Sequence, residues 1–108
     1  MTAGGRQATA ELERVFQAPA RLRIMAALMA RGEMDFTKLA ELLQLTRGNL
    51  SVHMKMLDDT GFVRTEKAFV NRRPRTTFAP TAAGRRGFEQ YVTVLEGIIA
   101  SSKPGKAP

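Results

Sequence analysis

Residues 46–57, "TRGNLSVHMKML", decide how this chain folds. Wound as a helix, the stretch gathers Leu50, Met54 and Leu57 on one stripe. Steps of four and three residues return side chains to the same helix face. The opposite face carries Gly48, Ser51, Val52, Lys55 and Asp59, while Thr46, Arg47 and Asn49 crowd the start. Such a face is costly: a glycine destabilises a helix interior by about 1 kcal/mol relative to alanine. A valine shown to water gains nothing there either. The face is therefore expected to serve something outside the fold.

Upstream, Phe36, Leu39, Ala40 and Leu43 keep the i, i+3, i+4, i+7 spacing of a short helix, with Thr37 predicted as its N-cap. "EMDF" before it reads as one small strand. Gln44-Leu45 leads to Thr46, a second cap, and the helix it opens is predicted to run to about Thr60 and stop at Gly61. Two short helices on so tight a turn form a helix-turn-helix, whose second member suits a major groove. Pro19 suits the first turn of an earlier helix, "ARLRIMAALMAR" (20–31), closed by Gly32. Its apolar surface (Leu22, Ile24, Met25, Leu28, Met29) is broad enough for a central helix with neighbours on more than one side. A first helix is predicted from about Thr9 to Phe16, with Leu12, Val15 and Phe16 on one side.

Downstream, "FVRTEKAFVNRRPRTTFAP" (62–80) flanks a polar, proline-containing centre with β-branched and aromatic residues. It predicts a hairpin, with strands near 62–69 and 75–80 and a loose tip at 71–74. Directly after a helix-turn-helix, a basic hairpin makes a wing. Thr81 then caps a last helix, "AAGRRGFEQYVTVLEGIIAS" (82–101). In it Gly84, Phe88, Tyr91, Leu95, Ile98 and Ser102 form a seam of coiled-coil spacing, widened by Val92 and Ile99. Residues 1–8 and 102–108 are expected to be flexible ends, which leaves 9–101 as one domain. The fold class expected is mainly α with a small β-hairpin wing: a three-helix core plus terminal helices.

The length of 108 residues suits a single modest core. No apolar run reaches the roughly 18 residues of a membrane span, and the N-terminus lacks the apolar centre of a signal peptide. A cytoplasmic, nucleoid-associated location is expected. The chain has no cysteine, which excludes a disulfide framework and thiolate metal ligands. Of the net charge of +7, nearly all lies in residues 47–86, with nine Lys/Arg against three Asp/Glu. Charge so localised points to a polyanion, either nucleic acid or an acidic membrane.

On the second helix of the pair, Arg47 has the donors for a bidentate bond to guanine, Asn49 matches adenine, and Val52 suits a thymine methyl. Thr46, Ser51 and Lys55 suit phosphates or base edges. The plainer alternative is that Thr46 and Asn49 only cap the helix and Lys55 is solvated. Contact is favoured for Arg47, Ser51 and Lys55, and for Asn49 and Val52 both readings stay open. Capping and phosphate contact by Thr46 are compatible, because helix N-termini attract anions. His53, the only histidine, sits beside Leu50 and Leu57 on the helix wheel. It is expected to be a partly buried histidine hydrogen-bonded at the helix–wing junction, in preference to a base contact, with a metal or catalytic role least expected. Arg72, Arg73 and Arg75 surround Pro74 at the wing tip, and arginine favours a narrow minor groove. Arg64 and Lys67 are further candidates for phosphate contact. Arg85 and Arg86 open the last helix, where the dipole disfavours cations, so they are either exposed or near DNA. Asp58 and Asp59 point about 100° apart on a helix and are read as solvated or paired with arginines. No catalytic set, phosphate loop or metal spacing appears. No cofactor is expected, and the chain is not expected to be an enzyme.

"LAELLQLTRGNLSVHMKMLDDTGFV" (39–63) followed by "NRRPRTTFAPTAAGR" (71–85) resembles winged helix-turn-helix transcriptional regulators of the ArsR/MarR type. The resemblance extends over roughly residues 18–100. It implies a homodimer formed by terminal helices, a palindromic double-stranded DNA operator, and repression. It also implies DNA contacts at Thr46, Arg47, Asn49, Ser51, Val52 and Lys55 and at the wing arginines. The dimer interface expected is Leu12, Val15, Phe16, Phe88, Tyr91, Leu95, Ile98 and Ile99. ArsR-type metal sensors commonly use cysteine ligands, which this chain lacks. MarR-type members usually have longer terminal helices framing an effector pocket. Two other readings stay open: a winged-helix module that binds protein or RNA, and an architectural protein that binds DNA without sequence preference.

Overall fold

The computed structural model describes residues 2–105, and for 2–8 only the course of the backbone. The order of elements is α1 (Thr2–Phe16), α2 (Pro19–Arg31), β1 (Met34–Asp35), α3 (Phe36–Leu43), α4 (Arg47–Asp59), β2 (Val63–Val70), β3 (Arg73–Pro80) and α5 (Ala82–Ser102). The class is as expected: helices plus a small antiparallel sheet, in strand order β1-β3-β2.

Helix α2 is the centre. It packs on α1, α3, α4, α5 and β3, and buries Ile24, Met25 and Leu28. Pro19 starts it and Gly32, at φ 84°, closes it. Two arginines of α2 also cap its neighbours. The Arg21 Nε–H donates to the Val15 carbonyl at 2.5 Å, and Arg23 Nη2 donates to the Leu43 carbonyl at 2.8 Å. The last carbonyls of a helix have no partner within it and carry its negative dipole end, so both cations are well placed.

Several expectations need correction. Helix α1 starts at Thr2 instead of Thr9. Gly4 and Gly5 lower helix propensity, but no proline interrupts the run and Ala3, Arg6, Gln7 and Ala8 are good helix formers. Asp35 replaces Thr37 as the cap of α3, its carboxylate accepting from the Lys38 N–H at 2.7 Å. Phe36 thereby enters the helix while Met34 and Asp35 pair with Phe78 and Thr77 of β3. The predicted loose tip is a tight two-residue turn. Asn71 and Arg72 both have positive φ, 52° and 65°, the signature of the type I′ turn that matches strand twist. Pro74 is therefore inside β3, opposite Phe69. In such a hairpin the residues flanking the turn exchange both backbone bonds, so the next pair is not hydrogen-bonded and tolerates a proline. Residues 106–108 of the expected flexible tail lie outside the described residues.

The start of α5 is fastened to the end of α4. Gly61 (φ 83°) and Phe62 close α4 with bonds to Asp58 and Leu57 carbonyls, both 2.9 Å. The Thr81 hydroxyl donates to the Gly61 carbonyl at 2.6 Å and accepts from the Gly84 N–H at 3.0 Å. A Cβ on Gly84 would stand 2.0 Å from the Phe62 carbonyl oxygen, so only glycine permits this approach. Phe16 stacks on Phe62 with centroids 5.8 Å apart, and meets Tyr91 at 5.3 Å and Phe88 at 6.3 Å.

Candidate nucleic-acid interface

The helix-turn-helix is built by local backbone chemistry. Gln44 takes a left-handed conformation, φ 55° and ψ 44°. The Gln44 N–H donates to Glu41 and the Leu45 N–H to Ala40, which satisfies the last carbonyls of α3. Thr46 then caps α4, its hydroxyl accepting from the Asn49 N–H at 3.1 Å. Three residues thus turn α3 into α4. Leu50, Met54 and Leu57 hold α4 on the core, as their spacing predicts. Arg47, Gly48, Asn49, Ser51, Val52 and Lys55 are left exposed. Val52 keeps 66% of its surface in solvent, and nothing lies within 4 Å of a Cβ built on Gly48. The protein itself has no packing reason for either residue.

The wing lies alongside this ridge. Arg47, Ser51 and Lys55 of α4 share one open cleft with Thr65, Lys67 and Thr76 of the sheet. A second cleft joins Thr37 and Arg47 to Arg73, Pro74 and Arg75. The recognition ridge and the arginine-bearing hairpin therefore form one continuous side. Phe36, Arg47 and Thr76 line both clefts. The Arg47 guanidinium lies over the Phe36 ring, 4.5 Å from the centroid, with Nη1 3.5 Å from the Thr37 hydroxyl. Such stacking contributes about 0.5–1 kcal/mol at an exposed site, little enough for a better anionic partner to displace it.

The candidate cations are not equally free. Lys55 contacts Asp59 at 3.2 Å, an exposed i, i+4 pair, which contributes only about 0.3–0.5 kcal/mol and leaves Lys55 available. Asp59, expected to be solvated or paired with an arginine, is exposed and meets this lysine. Arg75 contacts Asp35 at 3.3 Å, and that carboxylate is mostly shielded. Its charge is therefore partly matched within the protein. Strand alternation puts Arg64 on the face of the sheet opposite Thr65 and Lys67, where it meets Glu66 at 3.3 Å in an exposed pair that partly matches its charge. Arg72 and Arg73 are exposed and Arg85 and Arg86 likewise.

His53 is partly buried, as expected, but its hydrogen-bond partner is Arg21 of α2 and not a group of the wing. Arg21 Nη1 donates to its Nδ1 at 3.1 Å, which leaves the proton of the neutral ring on Nε2. Burial and then the Arg21 charge hold its pKa below 6.5. Reading the sequence alone missed Arg21, because nothing local shows that it spans from the end of α1 to α4. It also missed Phe69, 78% exposed beside the wing tip; the register of the hairpin is what reveals its face.

The expected dimer interface divides. Leu12, Val15 and Phe16 are buried within the chain's own core, at 6%, 0% and 2% exposure, and are withdrawn from the interface. The reason is the aromatic cluster around Phe16, which spends that side of α1 on α5. Phe88 and Tyr91 are partly buried against the same core. Ile98 and Ile99 keep 56% and 55% of their surface exposed, and Leu95 is intermediate. Among the described residues, no three His, Cys, Asp or Glu side chains gather to hold a metal. No helix there is long and apolar enough to cross a membrane.

Known proteins share this architecture. A family model described as a winged helix DNA-binding domain matches residues 20–99. The chain is 37% identical over 79 residues to the uncharacterized protein MJ0432 of Methanocaldococcus jannaschii, covering 73% of this chain and 86% of that one. A transcriptional regulator homologue from Pyrococcus horikoshii superposes with a TM-score of 0.80 at 29% identity, over 91% of this chain and 99% of the other. The MepR–DNA complex of S. aureus shares the fold, with a TM-score of 0.67 at 15% identity, over 93% of this chain and 82% of that one.

Proposed function

Because this chain belongs to the winged helix DNA-binding domain family, we propose that it is a homodimeric, sequence-specific regulator of transcription, acting as a repressor at a two-fold symmetric operator. Helix α4 enters the major groove and the wing reaches the adjacent minor groove. The observation that carries this reading is the single side formed by Arg47, Ser51 and Lys55 with the wing's Lys67, Arg73 and Thr76. Arg47 reads a base, once it leaves Phe36. Thr46, Ser51 and Lys55 bind phosphates or base edges, and Asn49 and Val52 face the bases between them. Arg72 and Arg73 serve the minor groove, and Arg75 contributes less because Asp35 holds it. In the dimer, Leu95, Ile98 and Ile99 of the two α5 helices meet, which sets the two recognition helices about one turn of DNA, roughly 34 Å, apart.

Selection of bound duplexes from random sequence tests this. The expected product is a site with two-fold symmetry, and affinity for it falls with salt by about 0.9 log units per phosphate contacted for each log unit of salt. Arg47→Ala should cost about 1–3 kcal/mol and relax preference at one base pair of each half-site. Arg73→Ala should weaken all duplexes alike and flatten the salt slope. A selection that returns no preferred sequence refutes the proposal.

A further inference from the structure

The wing carries a feature that a purely electrostatic minor-groove contact does not require. Cross-strand register pairs Phe69 with Pro74, next to the Asn71-Arg72 turn. Alternation along β2 puts Phe69 on the same face as Thr65 and Lys67, which line the cleft toward α4. Phe69 is 78% exposed, the most exposed large apolar residue described. A free phenyl ring gains nothing in water, and no core lies within its reach. The hairpin end that carries it is rich in cations: residues 67–76 hold Lys67, Arg72, Arg73 and Arg75, of which Arg75 is paired with Asp35. The tight turn keeps the register to the tip, so the ring is presented on a two-stranded ribbon paired up to Val70 and Arg73.

We infer that Phe69, backed by Pro74, is an apolar wedge that presses into the minor groove of duplex DNA and partly unstacks a base step there. The inference rests on the DNA-binding reading above. Charge complementarity identifies the occupant: Lys67 shares the ring's face, Arg72 stands in the adjoining turn, and that face is continuous with the α4 ridge, so a polyanion that neutralises them meets the ring. Inserted apolar side chains kink DNA toward the major groove, and pyrimidine–purine steps yield most readily. Phe69 thus confers a preference for a deformable step at a position the recognition helix never reads.

The chain has no tryptophan, so Phe69→Trp provides a single reporter at this site. The probe is a duplex selected by the unaltered protein, with 2-aminopurine at the step facing the wing. On binding, tryptophan emission should be quenched and 2-aminopurine emission should rise. Phe69→Ala should abolish that rise, lower affinity by about tenfold as loss of one stacked base does, and reduce the bend measured by end-to-end energy transfer. Replacing the flexible step by a stiff A-tract should weaken the unaltered protein more than Phe69→Ala. If duplex binds normally but both emissions stay unchanged, and Phe69→Ala bends DNA as before, the wedge is refuted and the DNA-binding reading stands. If the protein binds no duplex at all, both fall. If anionic vesicles shift the tryptophan emission and duplex does not, the ring belongs to a membrane contact and the wedge is refuted.

Discussion

Gly48 and His53 sit five positions apart on α4 and were placed on opposite grounds. The cost of Gly48 is visible in the sequence, and the structure supplies no internal compensation, since a Cβ there meets nothing. Gly48→Ala should therefore raise stability by up to about 1 kcal/mol while weakening DNA binding; calorimetry and a duplex titration on the same variant separate the two effects. A variant that gains stability and loses no affinity would mean the backbone is not approached. His53 is a different matter. Its pKa is lowered from 6.5 in the folded chain by burial and by Arg21. A depressed pKa means that the unfolded chain binds the proton more readily, so the stabilisation is complete above 6.5 and is lost as pH falls through the lower folded value. Denaturation midpoints should drop over that acid range, and His53→Gln should flatten the drop. An equal acid loss in His53→Gln assigns it to other groups.

At the scale of elements, α5 was correctly predicted to begin at Thr81, but the reason for Gly84 lies elsewhere in the chain. Spacing alone assigned it to a helix–helix seam. In the fold it is the point where α5 crosses the backbone of Phe62, and Gly87 beside it faces the Phe62 ring. Gly84→Ala forces a Cβ into a carbonyl that has no freedom to move, so it should cost at least the roughly 1–3 kcal/mol of an overpacked core. Gly97→Ala, in the same helix with nothing within 4 Å, should instead stabilise by about 1 kcal/mol. Urea unfolding of the pair is the measurement, and similar effects from both would remove the close approach as the cause. The wing makes the same point. Strand identity was legible from β-branched and aromatic residues, whereas the turn was not, because Asn-Arg is not a usual type I′ pair. Arg72 in a left-handed conformation costs about 1–2 kcal/mol, which the flanking strands must offset.

At the scale of the whole molecule, the radius of gyration is 16.4 Å and the longest dimension 67 Å. A compact domain of this length would have a radius near 13 Å. The excess reflects helices that extend past the core, and the C-terminal part of α5 carries Ile98 and Ile99 unpartnered in the protomer. Burying both in a dimer would remove apolar area worth about 25 cal/mol per Å². Ile98→Asp with Ile99→Asp should thus yield monomers by sedimentation equilibrium and abolish cooperative occupation of paired half-sites. Folding should be retained, because neither side chain enters the core. A dimer that survives this change must form through another surface.

Apolar spacing and turn chemistry determined which residues form α2, α3, α4, the wing strands and α5, because those signals act within a few residues. The same local rules placed Leu50, Met54 and Leu57 inward and left the Arg47–Lys55 ridge outward. Only the tertiary structure decided that Leu12, Val15 and Phe16 close the chain's own core, that Arg21 bridges the end of α1 to His53 and that Asp35 holds Arg75. Each of those outcomes is a competition between partners distant in the chain. Periodicity says that a side chain has an apolar or a charged face to satisfy, and the packing of other elements chooses which neighbour satisfies it.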